Sequence, residues 1–193
     1  MVAGPSDEEI EAAVIGGPTV HNDTIDLSDY NPVWPELFAR EVERIRGALG
    51  AVALAVDHVG STAVPGLAAK PIIDIVLTVA DASNEATYVP AMEIAGYVLR
   101  IREPAEFEHR LFNGPDTDVN VHVFSAGCPE IDRMVGFRDH LRADRDDREL
   151  YERTKRELAA RRWRYVQHYA NAKTDVVAGI MTRAELRDRE RME

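Results

Sequence analysis

The segment over residues 58–79, HVGSTAVPGLAAKPIIDIVLTV, constrains the fold more than any other part of the sequence. It runs from a polar turn through Gly and Pro positions into an apolar strand that carries one carboxylate, Asp74. A charge within a buried strand is costly unless it faces a partner, a metal or a wet cleft. The segment therefore predicts a strand with a functional face, and it makes Asp74 the first candidate site residue.

The turn ahead of this strand has the composition of a phosphate site. Gly60 allows a sharp turn and a close approach of a ligand to the backbone, and Ser61 and Thr62 place hydroxyls beside exposed backbone N–H groups. Asp74 can hold a hard cation such as Mg²⁺ through a carboxylate oxygen. Together these residues form a minimal nucleoside-triphosphate site. An ordinary turn, with Asp74 paired to Lys70 or to an arginine, is the alternative.

Hydrophobic periodicity predicts an α/β (α+β) fold with a small sheet and a helical C-terminal half. Strands are predicted over residues 52–56, 72–79, 97–102, 107–112 and 119–124, and helices over 7–15, 35–49, 83–96, 130–143, 146–162 and from 165 onward. Changes in composition divide the chain into an acidic N-terminal extension at residues 1–27, one domain at 28–182 and a charged C-terminal tail at 183–193.

The charge balance argues against nucleic acid as a partner. The net charge is −11, and eight acidic residues precede the first basic residue, Arg40. A nucleic-acid binder needs a basic stripe, which this balance does not indicate. The acidic leader is predicted to be a solvated extension, with a docking arm or a lid over a basic site as the alternative.

The remaining composition indicates a cytoplasmic protein with a compact core. The chain has 193 residues, 45% of them hydrophobic, and no run approaches the roughly 18 apolar residues of a membrane span. A single cysteine, Cys128, excludes an intramolecular disulfide and a cysteine metal cage. We therefore expect a small-molecule substrate and no membrane partner, while the sequence indicates no particular oligomeric state.

Two histidines are candidate proton-transfer residues. His122 shares one face of a predicted strand with Asn120, so that face is not purely core, and His122 can serve as a general base or bind a phosphate. A half-buried structural histidine is the alternative. His58 directly precedes the Gly-Ser turn and is a second candidate, with a turn-capping role as its alternative.

Arg110 is the candidate phosphate clamp, because a guanidinium binds oxyanions through two hydrogen bonds. It alternates along the chain with apolar residues and lies near Glu106 and Glu108. An ordinary ion pair with either glutamate is therefore the alternative. His109 shares the opposite face of this strand with apolar residues, which predicts a position at the edge of the core.

Several motifs in order along the chain resemble the GrpB-like family of the nucleotidyltransferase superfamily. They are YNPVW at residues 30–34, HVGSTAVPGLAAKPIIDI at 58–75, His122-Val123, FRDHL at 137–141, Tyr151 with KRELA at 155–159, and Tyr169 with Lys173. The resemblance covers residues 28–180 and implies a nucleotidyltransferase-like fold, a small mixed sheet flanked by helices. It also implies substrate-binding positions at Lys70, Arg138, Lys155, Tyr169 and Lys173, although a solvated helix face is the alternative for any one helical cation.

The chain departs from the superfamily's metal site. The superfamily uses two acids that alternate on one strand, and often a third on a later strand, to hold two Mg²⁺ ions. Here Asp74 is flanked at the alternating positions by Ile72 and Val76. Because Mg²⁺ wants near-octahedral oxygen ligands, one carboxylate and a triphosphate can hold one ion but hold two poorly.

These observations leave three functions open. The first is a small-molecule enzyme or binder with a phosphate- or nucleotide-type pocket, in its specific form an Mg²⁺-dependent nucleotidyltransferase acting on a nucleoside triphosphate. The second is a metal- and nucleotide-independent enzyme in which Asp74, His58 and His122 catalyse cyclisation, dehydration or condensation. The third is a non-catalytic nucleotide sensor or interaction domain, with the acidic leader as a partner-binding arm.

Overall fold

A five-stranded mixed sheet forms the centre of the computed structural model, which describes residues 5–192 and the side chains of residues 5–186. The strands are β1 (Ala55–Val59), β2 (Ile73–Val79), β3 (Val98–Glu103), β4 (His109–Asn113) and β5 (Val119–Ser125), and their spatial order is β1-β2-β5-β4-β3. β2 and β5 pair in parallel, and the other neighbours pair antiparallel. This confirms the predicted α/β architecture with a small mixed sheet.

Helices lie before, between and after the strands. They are α1 (Asp7–Ala13), α2 (Trp34–Leu49), α3 (Val89–Ile94), α4 (Pro129–Ala143), α5 (Arg145–Ala159), α6 (Val166–Asn171) and α7 (Thr174–Met192). The helix predicted over 83–96 is shorter, because residues 85–87 form a separate 3-10 turn and Pro90 stands in the first turn of α3. The segment predicted as helical from residue 165 divides into α6 and α7, so the helical C-terminal half is confirmed with one additional break.

The two faces of the sheet differ in what covers them. On one face Ile73, Ile75 and Leu77 pack with Ile45 of α2 and Met92 of α3 in the main core. On the other face a smaller cluster joins the sheet to α4; its members include Val59, Val76, Phe124, Ile131 and Met134. Since strand side chains alternate between faces, Asp74 shares this second face with Val76. The site therefore forms on the α4 side of the sheet.

The acidic leader is docked on the body of the protein. Ile10 and Ile25 are buried, and the backbone N–H of Ile25 donates to the carbonyl of Ala159 over 2.9 Å. Asp7 forms an ion pair with Arg164. The described part of the leader, residues 5–27, thus contacts residues 159 and 163–165, while most of its own side chains remain exposed.

The C-terminal residues continue a regular element. α7 runs through Met192, so the predicted boundary at residue 183 falls inside this helix, while Glu193 lies outside the described residues. No helix in the described part of the chain has the length and apolar character needed to cross a membrane.

Candidate functional site

The turn after β1 presses its backbone against Asp74. Gly60 has φ 68° and ψ −172°, a combination that essentially only glycine adopts. A Cβ atom at this position would lie 2.5 Å from Oδ2 of Asp74. Glycine is thus required both by the backbone conformation and by the close approach, and the structure brings Gly60 and Asp74 together.

The two hydroxyls of the turn have different roles. Thr62 is buried, and its Oγ1 donates to the carbonyl of Ile72 over 3.1 Å and lies 3.1 Å from Nε2 of His58. Ser61 lines a cavity and accepts a hydrogen bond from Nζ of Lys155 over 3.0 Å. The structure therefore uses Thr62 to fix the turn and leaves Ser61 as the hydroxyl that faces the cavity.

His58 and Arg138 support this turn from behind. His58 is buried and stacks on Phe38, with ring centroids 4.7 Å apart, and burial lowers the pKa of His58 to about 4. Arg138 Nη1 donates to the carbonyl of His58 over 2.9 Å, and Arg142 Nε donates to the carbonyl of Ala63 over 2.9 Å. These contacts correspond to the turn-capping alternative for His58, and they place Arg138 as a brace of the turn.

The three lysines of the chain gather at this turn. They are Lys70, Lys155 and Lys173, and the other 20 basic residues are arginines. Lys155 is 2% exposed, and its Nζ donates to Ser61 and to the carbonyl of Ala68. Nζ of Lys173 lies over the ring of Tyr169, 4.5 Å from its centroid. Lys155 thus contacts the turn directly, and Lys70 and Lys173 lie within electrostatic range of Asp74 beside it.

Burial lowers the pKa of each of these lysines. The pKa of Lys155 falls to about 7, first because of burial and second because of the charge of Lys173. The pKa of Lys173 and that of Lys70 are lowered by burial and partly restored by the carboxylate of Asp74. An anion bound between these ammonium groups would favour their charged forms, so the arrangement is suited to bind one.

Asp74 is held by a chain of amides. Nδ2 of Asn120 donates to Oδ1 of Asp74 over 3.0 Å, and Nδ2 of Asn113 donates to Oδ1 of Asn120 over 3.0 Å. Burial raises the pKa of Asp74, while the Asn120 hydrogen bond and the charges of Lys173 and Lys70 oppose that shift. Asp74 therefore accepts a hydrogen bond from one amide and lies within electrostatic range of two ammonium groups.

A cavity of about 640 Å³ opens between the turn and the C-terminal helices. Its polar lining includes Ser61, Tyr151, Asn171 and Lys173, and its apolar lining includes Met134, Phe137, Val177 and Met181. The hydroxyl of Tyr169 and the amide nitrogen of Asn171 are buried without a hydrogen-bond partner among the described residues. A cavity with a cationic end and an apolar wall suits a ligand that has an anionic group and a less polar body.

Arg110 is not part of this site. Its neighbours on β4 put it on the opposite face of the sheet from His122, and its Nε donates to Glu85 over 2.6 Å. Its Nη2 donates to Glu108 over 3.2 Å, and its side chain is 6% exposed. The structure thus replaces the predicted phosphate clamp with a buried ion pair, which satisfies the guanidinium.

The side chains around Asp74 fit a protein-held Mg²⁺ poorly. Apolar Ile72 and Val76 stand where further acids would be needed, and Lys70 and Lys173 already supply positive charge. The one described group of three His, Cys, Asp or Glu side chains with ligand atoms within 4.8 Å lies elsewhere, at His140, Asp144 and Asp147. Asp147 there is bound to Arg183 Nε over 2.9 Å and to His140 over 2.8 Å, which makes that group an ion-pair network.

Sequence reasoning missed two parts of the site. Tyr151 is quoted above only as part of a family motif, yet it lines the cavity, and the Lys155 ammonium lies over its ring, 4.9 Å from the centroid. Burial raises the pKa of Tyr151 to about 12. Its spacing of four residues from Lys155 was the available signal. His109 was placed at the core edge, yet it contacts His122, over 3.0 Å between Nε2 and Nδ1. That contact joins two strands, which no local pattern reveals.

Comparisons with known proteins agree with the fold. A family model described as GrpB protein matches residues 24–183. A UPF0157 protein from Halalkalibacterium halodurans is 59% identical over 179 residues, covering 93% of this chain and 92% of that protein. The crystal structure of conserved protein GrpB from Enterococcus faecalis has a TM-score of 0.67 and 28% identity, covering 82% of this chain and 96% of that chain.

One further relative is much longer than the matched region. A dephospho-CoA kinase from Mycolicibacterium paratuberculosis is 33% identical over 157 residues, which are 68% of this chain and 39% of that protein. The similarity therefore concerns one part of that enzyme.

Proposed function

Since the chain belongs to the GrpB family, we propose that it binds a phosphate-bearing small molecule of the nucleotide type in the cleft between Ser61 and α7, in the cytoplasm. The single observation that carries the proposal is the gathering of all three lysines around the Gly60–Ser61 turn. A buried ammonium group is costly unless an anion or a hydrogen-bond acceptor faces it. An anionic ligand explains why the chain places its lysines here.

The donors of the turn can act on the same phosphate. Ser61 Oγ lines the cavity and accepts a hydrogen bond from Lys155 Nζ over 3.0 Å, so Ser61 can donate its own proton to a phosphate oxygen while the ammonium group behind it supplies positive charge. Lys173 supplies a second ammonium group at the cavity wall, above the ring of Tyr169. The less polar body of the ligand would then contact the apolar wall formed by Phe137 and Met181.

Nucleotidyl transfer is the specific reaction that the superfamily resemblance suggests for this ligand class. One carboxylate beside two lysines does not provide the ligands for two metal ions, so we derive no step through Mg²⁺. A metal-independent acid–base enzyme is the second candidate, because His122 Nε2 lies 4.0 Å from Oδ1 of Asp74. Both candidates share the proposed phosphate-binding cleft.

The kinase relative adds little to the choice of reaction. The chain contains no G-x-x-x-x-G-K-[ST] phosphate-binding loop, so phosphoryl transfer by that route is not part of the proposal.

A binding panel tests the proposal directly. Thermal shift and calorimetry are measured with inorganic phosphate, pyrophosphate, tripolyphosphate and nucleoside triphosphates, each with and without Mg²⁺. We expect millimolar or tighter stabilisation by at least one of these ligands, and at least about tenfold weaker binding in Lys173→Met, because a charged hydrogen bond contributes roughly 1.5–3 kcal/mol. Arg145→Met is the matched control, since Arg145 has an 80% exposed side chain and loses the same charge.

The arms of the panel separate the possible ligands and roles. Binding of inorganic phosphate alone would indicate a simple phosphate site, and preference for a triphosphate would indicate a nucleotide site. Asp74→Asn is expected to strengthen anion binding without metal, because it removes a negative charge beside Lys70 and Lys173. A lack of stabilisation by every ligand of the panel at millimolar concentration would disprove the proposal, and loss of Mg²⁺-dependent binding in Asp74→Asn would instead assign Asp74 to a metal.

A further inference from the structure

A row of hydrogen-bonded side chains leads across three strands to Asp74. Oε2 of Glu103 lies 2.7 Å from Nδ1 of His109, and Nε2 of His109 lies 3.0 Å from Nδ1 of His122. Nε2 of His122 is in turn 4.0 Å from Oδ1 of Asp74. The row therefore connects the β3–β4 hairpin with the carboxylate in the cleft.

With both rings neutral, the hydrogen bonds of this row select one tautomer for each ring. A carboxylate of Glu103 only accepts, so Nδ1 of His109 carries a proton and donates to it. Neutral His109 then has a bare Nε2, which accepts from the Nδ1–H of His122. His122 is left with a bare Nε2 on the side of Asp74. Burial lowers the pKa of His122 to about 3, which is consistent with a neutral ring.

The surroundings of the two rings fit this order. His109 stacks on Phe124 with ring centroids 4.9 Å apart, which fixes the plane of its ring. The His109 and His122 rings are 15° from parallel. The His122 side chain keeps 21% exposure, so its outer edge is accessible to a small molecule.

We propose that Glu103 and His109 are positioning residues that hold His122 in the Nδ1–H tautomer, so that the bare Nε2 of His122 is the proton acceptor of the cleft. The ligand class is a phosphate-bearing molecule with a hydroxyl or amine group, and in this respect the inference rests on the proposed function. The proton of that group moves to Nε2 of His122, and the oxygen or nitrogen keeps the electron pair. The Nδ1 proton of His122 then passes to Nε2 of His109, so the positive charge lies beside the Glu103 carboxylate.

Histidine tautomers are measured by long-range ¹H–¹⁵N NMR of the uniformly labelled full chain without ligand. The chain has six histidines, so single substitutions assign the rings. At neutral pH we expect Nδ1 protonated and Nε2 bare in both His109 and His122 of the wild-type protein. A protonated Nε2 in wild-type His122 would overturn the proposal, whatever the variants do.

Two variants at His109 distinguish positioning from packing. His109→Phe retains a ring against Phe124 but removes the acceptor, so the tautomer ratio of His122 should move toward Nε2–H by about fivefold to tenfold, the value of one net hydrogen bond. His109→Gln places an amide oxygen near the former Nε2 and should restore the Nδ1–H form. Glu106→Gln, an exposed change in the same hairpin, should leave the ratio as in wild type.

The results separate this inference from the proposed function. An unchanged His122 tautomer in His109→Phe would overturn the positioning role even if phosphate binds. Expected tautomers together with no ligand binding would instead support the arrangement of the row and count against the phosphate cleft. The tautomers are read without any ligand, so the two failures are distinguishable.

Discussion

Replacement of Lys155 by methionine should stabilise the protein while it weakens ligand binding. Lys155 is 2% exposed, and burial is the main reason why its pKa falls from 10.5 to about 7. Each unit of pKa corresponds to about 1.4 kcal/mol, so the charged lysine costs the folded state about 5 kcal/mol at pH values below 7. Methionine has similar length and carries no charge, and it therefore removes this cost.

The hydrogen bonds of Lys155 offset part of that gain. Its Nζ donates to the carbonyl of Ala68 and to Ser61, and a buried acceptor left without a donor costs about 1–3 kcal/mol. The net expectation for Lys155→Met is a free energy of unfolding higher by about 2 kcal/mol at pH 7. Phosphate or nucleotide affinity should fall at least about tenfold, because a charged donor at the turn is lost.

The stability advantage of Lys155→Met over the wild-type protein should decrease as the pH rises. The folded-state pKa of Lys155 is lowered, so the cost of its charge is fully present below pH 7 and disappears as the pH rises to 10.5. Urea unfolding of both proteins at pH 7 and pH 10 checks this. The advantage of Lys155→Met should shrink or reverse at pH 10. A variant less stable than wild type at pH 7, or a stability difference independent of pH, would refute the reasoning.

Three further predictions concern the same cleft and the opposite sheet face. Gly60→Ala should lower the free energy of unfolding by about 3 kcal/mol and abolish anion binding, because a Cβ would lie 2.5 Å from Asp74 Oδ2 in a glycine-only conformation. Urea unfolding measures the stability and calorimetry measures the binding. A stable variant with full binding would contradict the prediction. Sulfate keeps its charge near neutrality, so the affinity of the protein for sulfate should decrease above pH 7 as Lys155 loses its proton. Calorimetry in buffers of different ionisation enthalpy should show that sulfate binding is accompanied by proton uptake. A pH-independent affinity would argue against this role of Lys155. Arg110→Ala should lower the free energy of unfolding by about 3 kcal/mol, because it leaves Glu85 with one guanidinium partner fewer. Ligand binding in the same calorimetric panel should be unchanged. Weakened binding in a folded variant would place Arg110 in the site again.

Most of the fold was readable from the sequence because local patterns determine it. Alternating and apolar runs predicted the strands to within about three residues, and Gly114-Pro115-Asp116 predicted the turn between β4 and β5. The first strand was placed three residues too early, since residues 50–52 form a 3-10 turn. Helix 83–96 was predicted too long because turn chemistry near Asn84 and Pro90 competes with apolar periodicity.

Site residues were predicted less well, because a residue type does not reveal the partner across the fold. From the sequence alone, Arg110 and Ser61 were equally plausible hydrogen-bond donors to a phosphate. β4 places Arg110 on the core face, where Glu85 satisfies it, whereas the turn places Ser61 at the cavity wall. His58 likewise had two interpretations, and its stacking on Phe38 supports the turn-capping one.

The sequence alone determined the order of the elements, the family resemblance and the Gly-Ser-Thr turn before a strand that carries Asp74. These features are local, and they depend on backbone propensity and on the alternation of apolar side chains. Only the tertiary structure decided that Lys70, Lys155 and Lys173, which are up to about a hundred residues apart, come within electrostatic range of one another beside that turn. It also decided that His109 contacts His122. Such contacts depend on which strands and helices become neighbours, and the packing of the whole chain selects those neighbours.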